Sequence, residues 1–192
     1  MEKFKLVSPA LKHKEQAIEY IKEHHKYNST INGVGGLNGY LDDYHGWLQK
    51  LEDDRNRIAD EESVPSETFF LIRENDEKII GMINIRLELN EELRKSAGNI
   101  GFSIRPTERQ KGYNKINLYL GLLECQKHNL DRVMLDCDKD NLGSAKTMQA
   151  LCGELEREYY DHIKYHCIVQ VYWIDVNNSI ELKKEQFQEY LA

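Results

Sequence analysis

The sequence is short of the residues that mark metal sites, secreted proteins and membrane spans. Its four cysteines show no CxxC spacing, which argues against a zinc site or a redox motif and predicts reduced thiols. The first residues, MEKFKLVSPALKHKEQ, contain no apolar stretch of the kind found in signal peptides. The apolar run IVQVYWI is far too short to span a bilayer. We therefore expect a cytoplasmic protein that holds no metal and has no membrane partner.

Positive charge is also scarce. The 192 residues carry a formal net charge of -7, which argues against nucleic acid as the main partner, because phosphate backbones select basic surfaces. The charge balance is compatible with a cationic small molecule or a peptide amine as a partner. Four acidic residues near and within the second predicted helix either attract such an amine or simply face water: Asp42, Asp43, Asp53 and Asp54.

The spacing of apolar residues predicts a mixed α+β fold. A strand at 4–7 is followed by two helices, the first capped by Ser8 and the second within YLDDYHGWLQKLEDDRNRIADEE. No strong strand precedes the glycines of INGVGGLNG, so we predict a flexible connection there rather than a nucleotide loop. The following pattern predicts a hairpin of 68–73 and 79–87, a strand in AGNIGFSI, a helix at 111–128 and a strand at 133–138. After these we expect a short helix ended by Gly153, a strand pair that turns near Asp161 and His162, and a polar tail with a short helix.

A cluster of positive charge lies at a predicted strand-to-helix turn, in RPTERQKGYN. A helix N-terminus presents unpaired N–H groups and the positive end of the helix dipole, so it can bind an anion. Gly112 provides a position where a positive φ, or the close approach of a ligand, costs little. Arg109 and Lys111 add cationic side chains. On spacing alone, a pyrophosphate cradle and an ordinary connection with surface charges are both open.

Two segments of the chain resemble those of the GNAT-type N-acetyltransferases. IRPTERQKGYN is similar to the acyl-CoA loop of that family, whose pattern is Arg/Gln-x-x-Gly-x-Gly/Ala, with Arg109, Gly112 and Asn114 at the patterned positions. LDCDKDNLGSAKTMQALCGELERE is similar to the strand and Asn-x-x-Ser/Ala helix of the same family, with Asn141 and Ser144 in place. The upstream VPSETFFLIREND and IIGMINIRLELNEEL resemble one bacterial branch of it.

The resemblance implies the acyl-CoA N-acyltransferase fold. In that fold a central, mixed and mostly antiparallel sheet of about seven strands is flanked by helices and is splayed between its fourth and fifth strands. The chain would then be a single domain over 1–192. Its parts would be an N-terminal strand with acceptor-side helices (1–66), the core sheet with the CoA loop (67–140), a C-terminal helix and strand pair (141–176), and a polar tail (177–192).

The resemblance also implies an acetyl-CoA-dependent N-acetyltransferase that acts on a small-molecule or peptide amine, by direct attack within a ternary complex. Backbone groups of strand 102–104 would pair with the pantetheine arm, and amides of 110–114 would hold the pyrophosphate. Asn141 would fix the pantetheine or the local loop. Many members pair, so a homodimer is an expected assembly. The residues implied to bind acetyl-CoA are Phe102, Ser103, Ile104, Arg109, Gln110, Lys111, Gly112, Tyr113, Asn114, Asn141 and Ser144.

The sequence departs from the family pattern at three positions. Asn114 replaces the usual small residue, Met148 stands where many members have a tyrosine as general acid, and Asn99 stands about where some have a catalytic base. We therefore take Glu88 as the candidate base and Tyr172 as the candidate acid, although a surface carboxylate and a core tyrosine are the alternatives. The departures also leave open a CoA-binding sensor that no longer transfers, and an interaction module without a ligand.

Overall fold

A computed structural model describes residues 2–162 and 166–192. Within those residues the chain forms seven strands and six α-helices. In chain order they are β1 (Phe4–Val7), α1 (Lys14–Lys26), α2 (Tyr44–Arg55), β2 (Ser66–Arg73), β3 (Lys78–Arg86), α3 (Glu91–Lys95), β4 (Ile100–Ile104), α4 (Tyr113–Lys127), β5 (Arg132–Asp138), α5 (Leu142–Ala150), β6 (Glu154–Tyr160), β7 (Ile168–Asp175) and α6 (Val176–Gln188). No helix of the described part is both long and apolar enough to cross a membrane.

The strands form two antiparallel sheets. One has the order β1-β2-β3-β4 and the other the order β5-β7-β6. Met82 of β3 lies opposite Ser103 of β4, and Leu135 of β5 lies opposite Tyr172 of β7. No ladder joins β4 to β5. The α+β class, the seven strands and the separation of the fourth strand from the fifth are therefore confirmed.

Strand β3 is buried along most of its length because helices cover both faces of its sheet. Ile83 and Ile85 pack with residues of α4 on one face. Ile79 and Met82 pack with residues of α1 and α2 on the other. A strand covered on both faces is a near-continuous apolar run rather than an alternating one. Burying each such side chain stabilises the fold by roughly 1.5–3 kcal/mol, so the run KIIGMINI anchors the four-stranded sheet between the helical layers.

Asn99 joins the two sheets at the base of the gap between β4 and β5. Its N–H donates to the carbonyl of Met134 at 2.7 Å, and its Oδ1 accepts from the N–H of Met134 at 2.9 Å. Its Nδ2 donates to the carbonyl of Arg86 at 3.0 Å. At Gly98, a Cβ would lie 2.2 Å from the Met134 carbonyl oxygen, so the backbones touch there. The two sheets are therefore joined at this end of the gap, and no ladder joins β4 to β5 beyond it.

Three predicted helix boundaries were wrong. The first helix is not capped by Ser8, because a 3-10 turn at Leu11–His13 precedes α1. The second helix ends at Arg55, since the Asp60 carboxylate accepts from the N–H of Ser63 at 2.7 Å and holds a local turn instead. The helix predicted from residue 111 begins at Tyr113. Helix α3 was not predicted.

The segment predicted as a polar tail packs into the core. It forms α6, whose residue Phe187 is buried and stacks on Tyr119 with ring centroids 4.7 Å apart. The chain then returns to the first strand, where the N–H of Ala192 donates to the carbonyl of Phe4 at 3.1 Å. Docking of a few apolar side chains along one face of a helix is enough to fix an otherwise charged segment.

Candidate functional site

The strand on one side of the gap offers its backbone rather than its side chains. Ser103 of β4 donates from its hydroxyl to the carbonyl of Asn32 at 2.6 Å and is hydrogen-bonded to the Tyr20 hydroxyl at 2.9 Å. Ile104 is buried, and Phe102 packs against the core cluster that contains α4. Since β4 has a ladder only to β3, its other edge faces the gap. An extended ligand can add to such an edge as a further strand would.

The loop after β4 arranges a row of free amide groups. Gln110 has φ +63° and Gly112 has φ +84°, so two left-handed residues flank Lys111. Alternation of this kind turns successive N–H groups toward one side and forms a nest for an anion. In the described part of the chain, the N–H groups of 110–114 have no acceptor. Gly112 caps α4 without a side-chain bond, so the positive end of that helix is also open.

Of the two cations predicted to assist this loop, only Arg109 lacks a carboxylate partner among the described residues. Its Nε donates to the carbonyl of Ile104 at 3.2 Å and its NH2 to the Ser29 hydroxyl at 2.6 Å. Lys111 instead donates to the Glu108 carboxylate at 2.7 Å. The charge of Lys111 is therefore offset locally, and Arg109 is the loop cation better placed to meet an anionic ligand.

Glu108 holds the loop in place through ion pairs, a role that we did not predict from the sequence. Its carboxylate, buried to 5% exposure, accepts from Lys78 at 2.7 Å, from Lys111 at 2.7 Å and from Arg73 at 3.3 Å. Burial alone would raise the pKa of Glu108, but the hydrogen bonds from Lys111 and Lys78 outweigh it and lower the pKa to about 2. The loop is thus tied to the ends of β2 and β3.

Glu108→Gln is expected to lose about 2–3 kcal/mol of unfolding free energy at neutral pH, because it removes the buried negative charge on which Lys78, Lys111 and Arg73 converge. A lowered carboxylate pKa stabilises the fold above the unfolded value of 4.5, and that contribution disappears as the pH falls toward 2. Denaturant unfolding of both proteins should show their difference shrinking between about pH 5 and pH 2. Glu77→Gln, at an exposed pair, is the control and should change little. A pH-independent difference would contradict this account.

Asn141 and Ser144 lie at the far side of the gap, just beyond β5. The Asn141 Oδ1 accepts from the N–H of Ser144 at 3.2 Å and caps α5. Asn141 therefore fixes the local loop, which is one of the two roles expected for it. Met148 is completely buried in the core, as its apolar side chain predicts.

Asn114, the departure within the loop, turns its side chain toward α5. Its Nδ2 lies 3.4 Å from the Thr147 hydroxyl, and its Oδ1 is buried without a partner in the described part of the chain. An unpaired buried carbonyl contributes no stability. The side chain fills space between two helices, while the backbone N–H is left for the nest.

We expect Asn114→Ala to keep or improve affinity for acetyl-CoA and to change the unfolding free energy by less than about 1 kcal/mol. Isothermal titration and denaturant unfolding measure the two effects. Asn117→Ala is the matched variant in the same helix. Its Nδ2 donates to the buried carbonyl of Met82 at 3.2 Å, so its loss should destabilise the fold instead. A large loss of affinity in Asn114→Ala would show that the amide has a specific role toward the ligand.

The two candidate catalytic residues lie in contrasting surroundings. Glu88 is exposed in a bend two residues beyond β3. Tyr172 is 1% exposed, and its hydroxyl donates to Gln170 at 3.0 Å and accepts from Gln149 at 3.3 Å. Burial raises the pKa of Tyr172, so its hydroxyl stays protonated at neutral pH. Their roles as base and acid stay predictions.

The glycine-rich segment between α1 and α2 is packed, not the flexible connection that we predicted. Gly33 lies against β4 so closely that a Cβ would be 2.3 Å from the carbonyl oxygen of Gly101. Val34 and Leu37 are buried, and the Trp47 indole N–H donates to the carbonyl of Gly35 at 3.0 Å. The glycines allow this close approach, which the sequence alone did not reveal because the partner strand is distant in the chain.

This segment, 31–36, covers a cavity beside the four-stranded sheet. The cavity holds ≈ 330 Å³. Its walls include 31–36, Lys50, Asp54, Ser66, Asn84 and Arg86. Gly33, one of the lining residues, also lies against Gly101 of β4, the strand that borders the gap. Among residues 2–162 and 166–192, no three His, Cys, Asp or Glu side chains converge as a metal site requires, and the expected absence of a metal stays a prediction.

Comparison with known proteins gives a consistent result. A family model described as the Acetyltransferase (GNAT) family matches residues 37–153. No curated protein matches the chain. The solved ribosomal-protein-S5-alanine acetyltransferase from Vibrio fischeri superposes with a TM-score of 0.68 at 17% identity, over 91% of this chain and 94% of that one.

Two further solved structures share the fold. The microcin C7 self-immunity acetyltransferase MccE, in complex with acetyl-CoA and AMP, has a TM-score of 0.66 at 17% identity, over 89% of this chain and 91% of that one. A spermidine N-acetyltransferase chimera of Vibrio cholerae SpeG and hSSAT has a TM-score of 0.64 at 12% identity, over 93% and 99% of the two chains. At such low identities the likeness establishes the fold alone.

Proposed function

Because the chain belongs to the GNAT acetyltransferase family, we propose that it transfers the acetyl group of acetyl-CoA to a primary amine of a small molecule or a peptide. The observation that carries the proposal is the row of unbonded N–H groups in 110–114, at the open end of α4 and beside the gap between β4 and β5. A neighbour of the same fold holds acetyl-CoA, which supports the choice of donor.

In the proposed complex the protein binds and orients its substrates. The free edge of β4 pairs with the pantetheine arm, the amides of 110–114 bind the pyrophosphate, and Arg109 adds positive charge. The neutral amine attacks the thioester carbonyl, so that a C–N bond forms and the C–S bond breaks. Backbone N–H groups of β4 stabilise the oxyanion that develops. The amine proton passes to a base and the CoA thiolate leaves.

Glu88 is the proposed base and Tyr172 the proposed acid. Glu88 is exposed and can exchange protons with water, whereas Tyr172 is enclosed by two glutamines. The pH dependence of kcat/KM in Glu88→Gln and Tyr172→Phe tests both roles. A profile identical to the wild type excludes the substituted residue as the base or acid. A cytoplasmic location, a single domain and a homodimer stay predictions.

An acceptor screen tests the proposed function. Thiol release from acetyl-CoA is measured with polyamines, aminoglycosides, amino acids and peptide N-termini, and saturable turnover with at least one class is expected. Absence of saturable acetyl-CoA binding by isothermal titration would overturn the proposal.

A CoA-binding sensor is the second candidate function. It is favoured by the complete burial of Met148 and by the use of Asn99 as a clamp, since neither position provides an acid or a base. Acetyl-CoA binding without turnover for any amine would select it.

A further inference from the structure

The cavity beneath segment 31–36 combines cationic side chains with backbone amides that have no acceptor in the described part of the chain. Two cations, Lys50 and Arg86, and one carboxylate, Asp54, contribute to its walls. The Asp54 carboxylate is already shared by two cations, because Lys50 binds one of its oxygens and Arg57 the other. The one carboxylate among the lining residues is therefore already neutralised by its partners.

The backbone of the same segment adds to this polarity. The carbonyls of Asn32 and Gly35 accept hydrogen bonds from Ser103 and Trp47, and those of Val34 and Gly36 accept from N–H groups three residues further along the chain. The N–H groups of 33–36 have no acceptor in the described part of the chain. Three of these four residues are glycines with φ between +55° and +83°. Since these four carbonyl oxygens already accept hydrogen bonds and the N–H groups of 33–36 donate none among the described residues, the segment presents positive partial charge.

Carboxylates are missing where a cationic acceptor would need them. Residues 27–41 contain no aspartate or glutamate. Three of the four acids that the sequence offered as amine attractors have partners within the fold: Asp43 caps α2, Asp53 accepts from Gln49, and Asp54, which lines the cavity, is paired with Lys50 and Arg57. A polyamine would bring several positive charges to a lining whose carboxylate, Asp54, is already paired with two cations.

We infer that this cavity binds an anionic group, a carboxylate or a phosphate, carried by the amine acceptor, with Lys50 and the amides of 33–36 as its partners. The inference rests on the proposed function and narrows its acceptor class. Because the lining residue Gly33 lies against Gly101 of β4, the anionic group is held near the strand that borders the acetyl-CoA gap, while the amine end of the acceptor extends toward the thioester.

Paired acceptors test the inference. Glycine is compared with glycinamide, O-phosphoethanolamine with ethanolamine, and spermidine serves as a polycation. The acid-bearing members are expected to be preferred about tenfold in kcat/KM, mainly through KM, as for a charge-assisted hydrogen bond. The two pairs separately report a carboxylate and a phosphate preference.

Lys50→Gln supplies the decisive comparison, because intrinsic differences in amine reactivity cancel between the two proteins. In Lys50→Gln, the ratio of kcat/KM between the acid-bearing amine and its neutral counterpart should fall close to one. Arg57→Gln is the matched control, since Arg57 pairs with the same carboxylate but does not line the cavity. It should retain the preference.

Two kinetic outcomes overturn the inference: a preference for spermidine or the neutral amines, or a preference unchanged in Lys50→Gln. Isothermal titration of the acid-bearing amines into protein saturated with CoA separates the inference from the proposed function. If no amine releases thiol, the proposed function fails. Lys50-dependent binding of O-phosphoethanolamine would then still support the anion site, and its absence would overturn it.

Discussion

Gly112→Val is expected to weaken acetyl-CoA binding by about tenfold or more while the protein stays folded. A Cβ at this position meets no atom within 4 Å, so the fold itself has room for the side chain. The added side chain would stand within the loop 110–114, where the pyrophosphate is proposed to bind. The positive φ of +84° adds a strain of about 1–2 kcal/mol, which lowers stability but does not unfold the domain.

Isothermal titration with acetyl-CoA measures the affinity, and denaturant unfolding measures the strain. Gly39→Val is the control, because Gly39 is also surrounded by open space and lies outside the proposed cradle. Its affinity should match that of the wild type. An unchanged affinity in Gly112→Val would place the pyrophosphate elsewhere.

Asn99→Ala is expected to lose about 3 kcal/mol of unfolding free energy and to reduce acetyl-CoA affinity severalfold. The side chain donates to Arg86 at 3.0 Å and accepts from Met134 at 2.9 Å, and it is 3% exposed. Alanine removes both of these side-chain hydrogen bonds. The backbone bond from residue 99 to the Met134 carbonyl remains, but the junction between the two sheets beside the gap loses the side-chain bonds that reinforce it.

Unfolding and titration measure the two effects together. Asn90→Ala is the control, because Asn90 caps the short helix α3 and donates to the exposed carbonyl of Glu61 but joins neither sheet to the other, and its loss should cost about 1 kcal/mol without changing affinity. A loss below about 1 kcal/mol in Asn99→Ala would mean that other contacts hold the sheets together.

The features predicted correctly are those that neighbouring residues determine. The apolar run of β3, the strand-to-helix turn and the positive φ at Gly112 all follow from local sequence. The gap between β4 and β5 was predicted from the family resemblance, because the spacing of apolar residues does not reveal whether two strands pair. The backbone nest of 110–114 was predictable because its geometry depends on a few consecutive residues.

The features that were missed depend on contacts between distant segments. Asn99 was interpreted as the place of a lost base, but its partner Met134 lies 35 residues further along the chain. The Glu108 carboxylate is held by Lys78 from 30 residues upstream. Segment 31–36 was interpreted as flexible because nothing in its own composition indicates that Gly33 would lie on β4. The cavity beneath it is assembled from four separate parts of the chain.

Amide hydrogen exchange of 110–114, measured with and without saturating acetyl-CoA, tests the proposed cradle most directly. These amides have no acceptor in the described structure, so they should exchange rapidly in the free protein and become protected when the pyrophosphate binds. Slower exchange at 110–114, together with protection along the free edge of β4, is the predicted result. Saturating binding that leaves exchange at 110–114 unchanged would contradict the account.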